Sequence, residues 1–204
     1  MESLRFLTPL FPMKLFFFLL VICMASSARR SYAETTKWNG ASLIAFSGTS
    51  TLHNWSGTVK ARPFTATVTV DVKGQPTHLA STVEVAAATM DTAEPDRDVK
   101  MRDSMQVKQF PLISGAMDAD FNKIAVGQAT PNALPFSLTL LGKKQEVRAT
   151  ISKWALKGDV ATFDLDFDLS LKASGIQVPS MFLVVRVGDA IHVHAAVKLT
   201  RASG

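Results

Sequence analysis

His192 and His194 come nearest, by type and spacing, to a metal site in this sequence. Two residues apart on a strand, their imidazoles would project from one face, where both are able to bind the same ion. That face is the polar one, because Ile191 and Val193 belong to an apolar set on the opposite parity. Asp189 is the only acidic residue nearby in sequence. We therefore expect histidines that are solvated or paired across strands, and no metal site.

His53 is the second residue with catalytic potential, since serines and aspartates are plentiful and a Ser-His-Asp set is conceivable. The sequence contains no Gly-x-Ser-x-Gly motif, which positions the nucleophile in one large hydrolase class. A histidine that hydrogen-bonds a turn is the better interpretation. We predict no catalytic residue.

Three aspartates, Asp164, Asp166 and Asp168, raise the question of a calcium site or a catalytic carboxylate pair. They recur at period two, without the glycine-containing loop of an EF-hand, so a solvated strand face is the default interpretation. There is also no glycine-rich phosphate loop. We predict neither a metal nor a cofactor, and the protein is not expected to be an enzyme.

These aspartates belong to residues 161–171, where apolar and polar residues alternate without a break. Period two is the period of a β-strand, and a strand with one dry and one wet face is typical of antiparallel sheets. Seven or eight strands with turn signals between them predict an all-β sandwich or barrel. The other strand signals lie at residues 42–46, 64–72, 79–87, 113–119, 136–140, 147–151 and 191–199.

Residues 96–105 do not follow the period-two alternation of the strands. Asp96 is a suitable N-cap, and Val99 or Met101 together with Met105 gives a short apolar stripe at helical spacing. We predict one short helix that closes an end of the sheet structure.

The first 33 residues have the pattern of a secretory signal peptide. Lys14 precedes an apolar run at residues 15–24, and Ser31-Tyr32-Ala33 fits a small-x-small cleavage site, with an earlier option at residues 25–28. Met13 is an alternative start. We predict cleavage of residues 1–33, a barrel domain at residues 34–204, and a periplasmic or secreted location.

Removal of the signal changes the composition. Cys23, the single cysteine, is lost, and the formal net charge of +5 falls to +2. No basic stripe with interleaved aromatics is present, so we expect no nucleic-acid partner. The remaining chain has no run long enough to predict a stable membrane span.

The dry faces are rich in phenylalanine and methionine, which suits either a plain core or an apolar pocket. The phenylalanines are Phe46, Phe64, Phe136, Phe163, Phe167 and, by extension, Phe182. A pocket requires a barrel too wide for its own side chains to fill.

The ordered motifs of the chain resemble those of the YceI-like family over about residues 38–200. The motifs are SLIAF at 42–46, STLHNWSG at 50–57, MDT at 90–92, RD at 97–98, MR at 101–102, FPLI at 110–113, FSLTLLG at 136–142, LSL at 169–171, GI at 175–176 and PS at 179–180. Two departures are Gly115, where the family usually has phenylalanine, and the Lys143-Lys144-Gln145 turn. We expect Gly115 to widen or bend the barrel locally.

The resemblance implies an eight-stranded antiparallel lipocalin-like barrel with one short α-helix. It further implies an exported protein that encloses a polyisoprenoid or quinone-like chain, with no common catalytic reaction. Arg97 and Asp98 would lie at the helix, where capping and charge pairing would explain them. The alternative is a non-catalytic stress or interaction protein with a side-chain-filled barrel. A homodimer is one option for its assembly.

Strand parity predicts which side chains would line the lumen and bind an apolar ligand. They are Phe46, Phe64, Val83, Val85, Met101, Met105, Phe136, Leu138, Phe163, Leu165, Phe167 and Val193.

Overall fold

The computed structural model describes residues 33–177 and 187–203. The predicted signal peptide, apart from its last residue, lies outside this range, as do Phe182 and the family motif at 179–180. Predictions that fall on those residues stay predictions.

The described residues form nine strands and one α-helix. The strands are β1 (Glu34–Ser50), β2 (Trp55–Lys60), β3 (Phe64–Val70), β4 (Pro76–Ala86), β5 (Leu112–Asp120), β6 (Ala133–Leu140), β7 (Lys143–Lys157), β8 (Val160–Ser170) and β9 (Val187–Arg201), and the helix is α1 (Pro95–Ser104). Short 3-10 turns follow β4 and β5, at Ala87–Thr89 and Phe121–Lys123.

The strands close into an antiparallel barrel. From β3 onward each strand pairs with the next, and β9 returns to pair with β1 from Trp38↔Arg201 to Ser50↔Val187. One edge of the long β1 is shared, its first half pairing with β3 and its second half with β2. The nine strands thus fill eight positions, which confirms the predicted all-β, eight-stranded lipocalin-like barrel with one helix and decides against a sandwich.

The break between β2 and β3 coincides with Pro63, which has no N–H to donate to a ladder. Just before it the backbone changes partners: the N–H of Ala61 donates to Ser42 O at 3.0 Å, and that of Arg62 to Glu84 O at 2.8 Å. The chain therefore shifts from β1 toward β4 at this point without opening the barrel.

The predicted inward and outward faces of the strands are confirmed where the strand pairing is regular. In β9 the predicted dry residues Ile191, Val193, Ala195, Val197 and Leu199 are all buried. In β8 the apolar set faces the same interior, and the three aspartates lie on the outer surface.

The helix begins at Pro95, two residues earlier than an N-cap at Asp96 would place it, and Asp96 is not its cap. Glu94 occupies the N-cap and makes no side-chain cap hydrogen bond, whereas Asp96 lies in the first helical turn. Proline is favoured at this first position because its φ is already helical and its missing N–H is not needed. Met101 and Met105 pack inward, but Val99 is 54% exposed, so Val99 does not belong to the apolar stripe.

Asp98 fastens α1 to the barrel wall. Its Oδ1 accepts hydrogen bonds from the Thr92 N–H at 2.9 Å and the Thr92 hydroxyl at 2.7 Å, and Arg102 lies 3.8 Å from Oδ2. The hydrogen bonds from Thr92 lower the pKa of this buried carboxyl. The adjacent Asp91 pairs with Thr58 of β2, so α1 is tied to one end of the barrel.

Gly115, which was predicted to widen or bend the barrel locally, does not form a β-bulge. It pairs with Val83 in β4 and Leu138 in β6, and both ladders run through it without a register shift. The register shifts lie instead at Gly48/Ser50 in β1, Thr69/Val70 in β3 and Ser152/Ala155 in β7.

Candidate ligand cavity in the barrel

The barrel encloses a cavity of about 940 Å³. An eight-stranded barrel is just wide enough to be filled by its own side chains or to hold one small ligand. A volume near the upper end of the range of about 300–1,000 Å³ for ligand pockets shows that this interior is not filled. The apolar sequence pattern left open a filled core or an apolar pocket. The structure therefore contains the pocket.

All twelve side chains that parity placed in the lumen line this cavity. Some of them contact one another: the Phe136 and Phe167 rings meet edge to face at 5.2 Å, and Met101 and Phe167 pack against the same cluster as Phe46. Their position is thus established, whereas their contact with a ligand stays a prediction.

The two ends of the cavity differ. We call the end covered by α1 and the residues 51–54 connection the α1 end, and the end with the connections at 71–75, 121–132 and 158–159 the hairpin end. At the hairpin end Ile124, only 1% exposed, packs against Leu134, Ala149 and Ile151. Asn132 holds this connection through two side-chain hydrogen bonds to the Val126 backbone, of 2.8 and 2.9 Å.

Three tryptophans and Ile124 line the cavity without having been predicted. Trp154 was missed because β7 contains an irregularity at Ser152/Ala155, where Lys153 has a φ of +51°. Strict alternation that starts from the inward Ile151 would place Lys153 inward. The register shift instead turns Trp154 inward, and its ring centre lies 5.6 Å from that of Phe163. Trp38 extends the inward parity of Phe46 along β1, a signal that the sequence did contain.

Trp55 sits over a glycine of the neighbouring strand, as do two further rings. The cross-strand pairs are Gly48↔Trp55, Phe46↔Gly57 and Gly40↔Phe64. A Cβ on Gly48 would lie 2.6 Å from the Trp55 ring, and one on Gly57 would lie 2.5 Å from the Phe46 ring. The glycines of this seam, which we call the glycine–aromatic seam, leave the space that the rings occupy.

Polar groups line the cavity mainly at the α1 end: His53, Glu94, Asp96, Arg97, Lys100 and Ser104. His53 does not bond its turn through the imidazole as predicted; the turn is held by the Ser50 hydroxyl, which donates to His53 O at 2.7 Å. In the described part of the chain the His53 ring makes no hydrogen bond to a serine or a carboxylate, so no nucleophile–base pair is assembled there.

Two buried polar atoms of the wall, Ser42 Oγ and Trp55 Nε1, have no hydrogen-bond partner within the described ranges. Since buried polar groups are nearly always paired, each calls for an explanation. Of the two residues predicted to be capped or charge-paired, Asp98 is paired, but Arg97 makes no ion pair with any described residue.

His192 and His194 lie outside the cavity, where each pairs across strands. His192 Nδ1 is 2.9 Å from Asp168, and His194 Nδ1 is 2.8 Å from Asp166. This confirms the predicted cross-strand pairing. The aspartates are not simply solvated: Asp164 is held by Lys153 at 2.8 Å, and its side chain is only 14% exposed. The described residues contain no group of three or more such side chains arranged to hold a metal ion.

Within residues 33–177 and 187–203, no helix has the length and apolar character needed to cross a bilayer.

Known structures share this barrel. BcnA from Burkholderia cenocepacia matches with a TM-score of 0.60 and 18% identity, over 77% of this chain and 95% of BcnA. A polyisoprenoid-binding domain from Saccharophagus degradans matches at 0.59 and 9%, over 83% and 100%. A variant of the Campylobacter jejuni YCEI protein matches at 0.51 and 18%, over 72% and 85%. At these identities the likeness shows the fold.

A search of curated protein sequences finds no match. The family model of the YceI-like domain, in contrast, matches residues 38–199, which is most of the chain and all the barrel strands except the outer ends of β1 and β9. The protein therefore belongs to the YceI-like family.

Proposed function

We propose that the protein binds one long apolar isoprenoid-type lipid, a polyisoprenoid or quinone-like chain, inside the barrel. The observation that carries this proposal is the cavity of about 940 Å³ lined by the inward apolar residues of the strands. The structural neighbour described as a polyisoprenoid-binding domain supports the same ligand class.

Apolar burial supplies the affinity. Each Å² of apolar surface removed from water is worth about 25 cal/mol, and the rings of the wall offer large contact areas. Met90, Met101 and Met105 line the α1 end, and the flexible thioether side chain adapts to irregular ligand shapes. The rival function, a stress or interaction protein with a filled barrel, is not supported by a cavity of this size.

The proposed role is binding and not catalysis. The cavity wall offers no histidine bonded to a serine or a carboxylate among the described residues, and most of the side chains that line it are apolar. We also propose that the protein is exported and acts as a periplasmic or secreted carrier, which is supported by the signal-peptide pattern of residues 1–33.

Extraction and mass spectrometry test the proposal. Protein purified in its exported form is extracted with organic solvent, and delipidated protein is then titrated with polyprenols and quinones. We expect an isoprenoid in the extract and saturable uptake of one chain per barrel. An empty extract together with no uptake of any added chain would contradict the proposal.

A further inference from the structure

The hairpin end of the barrel exposes apolar side chains on three separate connections. Val72 lies between β3 and β4, Val126 between β5 and β6, and Leu156 at the end of β7. Their exposed fractions are 61%, 45% and 57%, so half of the six large apolar side chains that the described ranges expose lie at this end. Exposed apolar residues are normal when scattered singly, whereas their grouping at one end calls for a cause.

These three side chains are spaced around the barrel. In the strand order their connections occupy three sides of the hairpin end, and the fourth side holds the start of β1 and the end of β9. Side chains arranged in a ring do not form the continuous groove that a helix or a strand of a partner protein occupies. Three points on a ring can, however, all touch one flat surface at the same time.

Each of the three connections also carries an exposed lysine. These are Lys73, Lys123 and Lys157, and none of them forms an ion pair within the described part of the chain. Apolar side chains flanked by lysines are typical of surfaces that bind membranes, where the apolar groups enter the boundary between head groups and acyl chains. The ammonium groups then lie among anionic lipids. We call Val72, Lys73, Lys123, Val126, Leu156 and Lys157 the hairpin rim.

The acidic residues of the connections are held within the protein. Asp71 Oδ1 accepts hydrogen bonds from the backbone N–H groups of Lys73 and Gln75, at 2.8 and 2.9 Å, so this carboxylate is turned toward its own loop. Asp159 lies 4.0 Å from Arg201, which matches its charge.

The ladder beside the rim is likewise paired, since His78 lies 2.6 Å from Asp118 and 3.2 Å from Asp120. Asp71 and Glu34 are then the acidic residues at this end that lack a cationic partner among the described residues. The three lysines of the rim outnumber them, so the unmatched charge at the hairpin end is positive. An anionic surface is the partner that complements this charge.

The rim also meets the cavity. Leu156 is one of the side chains that line the cavity, as are Gly74 and Gly158 of the neighbouring connections. Because Leu156 is exposed as well, the cavity wall and the rim are continuous at this residue. An apolar chain that leaves a bilayer at the rim would thus find apolar walls directly inside.

We propose that the hairpin rim docks on the surface of a bilayer that contains anionic phospholipid. Its three apolar side chains enter the boundary between head groups and acyl chains, and its three lysines lie beside the lipid phosphates. The contact forms only where a bilayer is present. It goes beyond the proposed function, for which it supplies the place of lipid transfer, and it requires no ligand in the barrel.

Vesicle flotation tests this docking. The protein is mixed with vesicles of phosphatidylcholine alone or of an equal mixture of phosphatidylcholine and phosphatidylglycerol. We expect the mixed vesicles to bind at least about tenfold tighter, because each lysine near an anionic surface contributes about fivefold. Binding to the mixed vesicles should weaken as the salt concentration rises, since salt screens exposed charges.

Two double variants separate the apolar and the charged parts of the rim. Val72→Ser/Val126→Ser and Lys73→Glu/Lys123→Glu should each weaken binding to the mixed vesicles by about tenfold or more. Neither set of residues lines the cavity, so both variants should bind geranylgeraniol in solution as the wild-type protein does. Circular dichroism melting establishes that each is folded, and the two variants test the rim independently.

Leu52→Ser/Val99→Ser is the matched control, because these exposed apolar residues lie at the α1 end and are 64% and 54% exposed. It should bind vesicles as the wild-type protein does. No flotation of the wild-type protein with either vesicle, or an equal loss in the rim variants and this control, would overturn the docking site. Lipid binding in the barrel would still stand if geranylgeraniol binds. A protein that floats with the mixed vesicles but binds no geranylgeraniol would support the docking site and count against the proposed function.

Discussion

At the residue scale, Gly115 decides how much room the cavity has. It lines the cavity opposite Leu138, and a Cβ there would lie 3.5 Å from the Phe136 ring, an ordinary contact. A larger side chain at this position therefore projects into space that the ligand needs.

Gly115→Phe should lower the affinity for geranylgeraniol by at least about fivefold, because crowding by a ring costs on the order of 1–3 kcal/mol. Gly115→Ala should bind as the wild-type protein does. Fluorescence titration measures both. Unchanged affinity in a folded Gly115→Phe protein would mean that the ligand lies outside the cavity.

Asp98 makes the attachment of α1 sensitive to acid. Because its pKa is lowered in the folded protein, its carboxylate stabilises the fold above the unfolded value of 3.8, and this contribution is lost as the pH falls through the lower folded value. Asp98→Asn should thus lower the melting temperature at pH 7, and the difference from wild type should shrink as the pH falls below about 3.8.

Thermal melts at a series of pH values, followed by circular dichroism, check this. Asp96→Asn is the control, since Asp96 is exposed in the first turn of the same helix. A difference between Asp98→Asn and wild type that stays constant from pH 7 to pH 2 would show that the Thr92 hydrogen bonds do not depend on the charge.

At the scale of elements, the glycine–aromatic seam joins β1 to β2 and β3. At Gly57 an added Cβ would meet both the Phe46 ring at 2.5 Å and the backbone oxygen of Asp91 at 2.6 Å. The backbone oxygen belongs to the bridge that carries the chain toward α1, so it has little freedom to move.

Gly57→Ala should consequently destabilise the fold by about 1–3 kcal/mol, the usual cost of overpacking. Gly115→Ala should leave the free energy of unfolding nearly unchanged, because a Cβ at that position makes only an ordinary contact with the Phe136 ring, at 3.5 Å. Urea unfolding compares the free energies of unfolding of the two variants. Equal stability of both would show that the seam relaxes without cost.

The elements also show how far the sequence leads. Regular strands such as β8 and β9 have their inner and outer faces predicted correctly, because alternation is a local property of the sequence. The register shift that turns Trp154 inward depends on how β7 meets β8 and leaves no mark on the pattern. Arg97 was predicted to be capped or paired, since its sequence neighbours are acidic, but its position in the helix places it in the lining of the cavity.

At the scale of the whole molecule, closure of the sheet creates the cavity. Pairing of β9 with β1 removes the free edges that an open sheet would present. Backbone hydrogen bonds around the closed sheet thus keep opposite sides of the barrel apart. Turn spacing and alternation predicted seven or eight strands and the inward face of the regular ones, but they gave no signal for β2, one of the nine strands described. The volume of about 940 Å³ was not predictable, because it depends on the stagger of the strands and on which glycines face inward.

The most direct test of a lipid inside the barrel is photo-crosslinking with a diazirine-bearing geranylgeranyl probe, followed by mass-spectrometric peptide mapping. The account predicts labels on inward residues such as Met101, Phe136 and Phe167. It predicts none on exposed apolar residues of the outer surface such as Leu43 and Val126. Labels confined to the outer surface, with the inward residues unmodified at saturating probe, would contradict it.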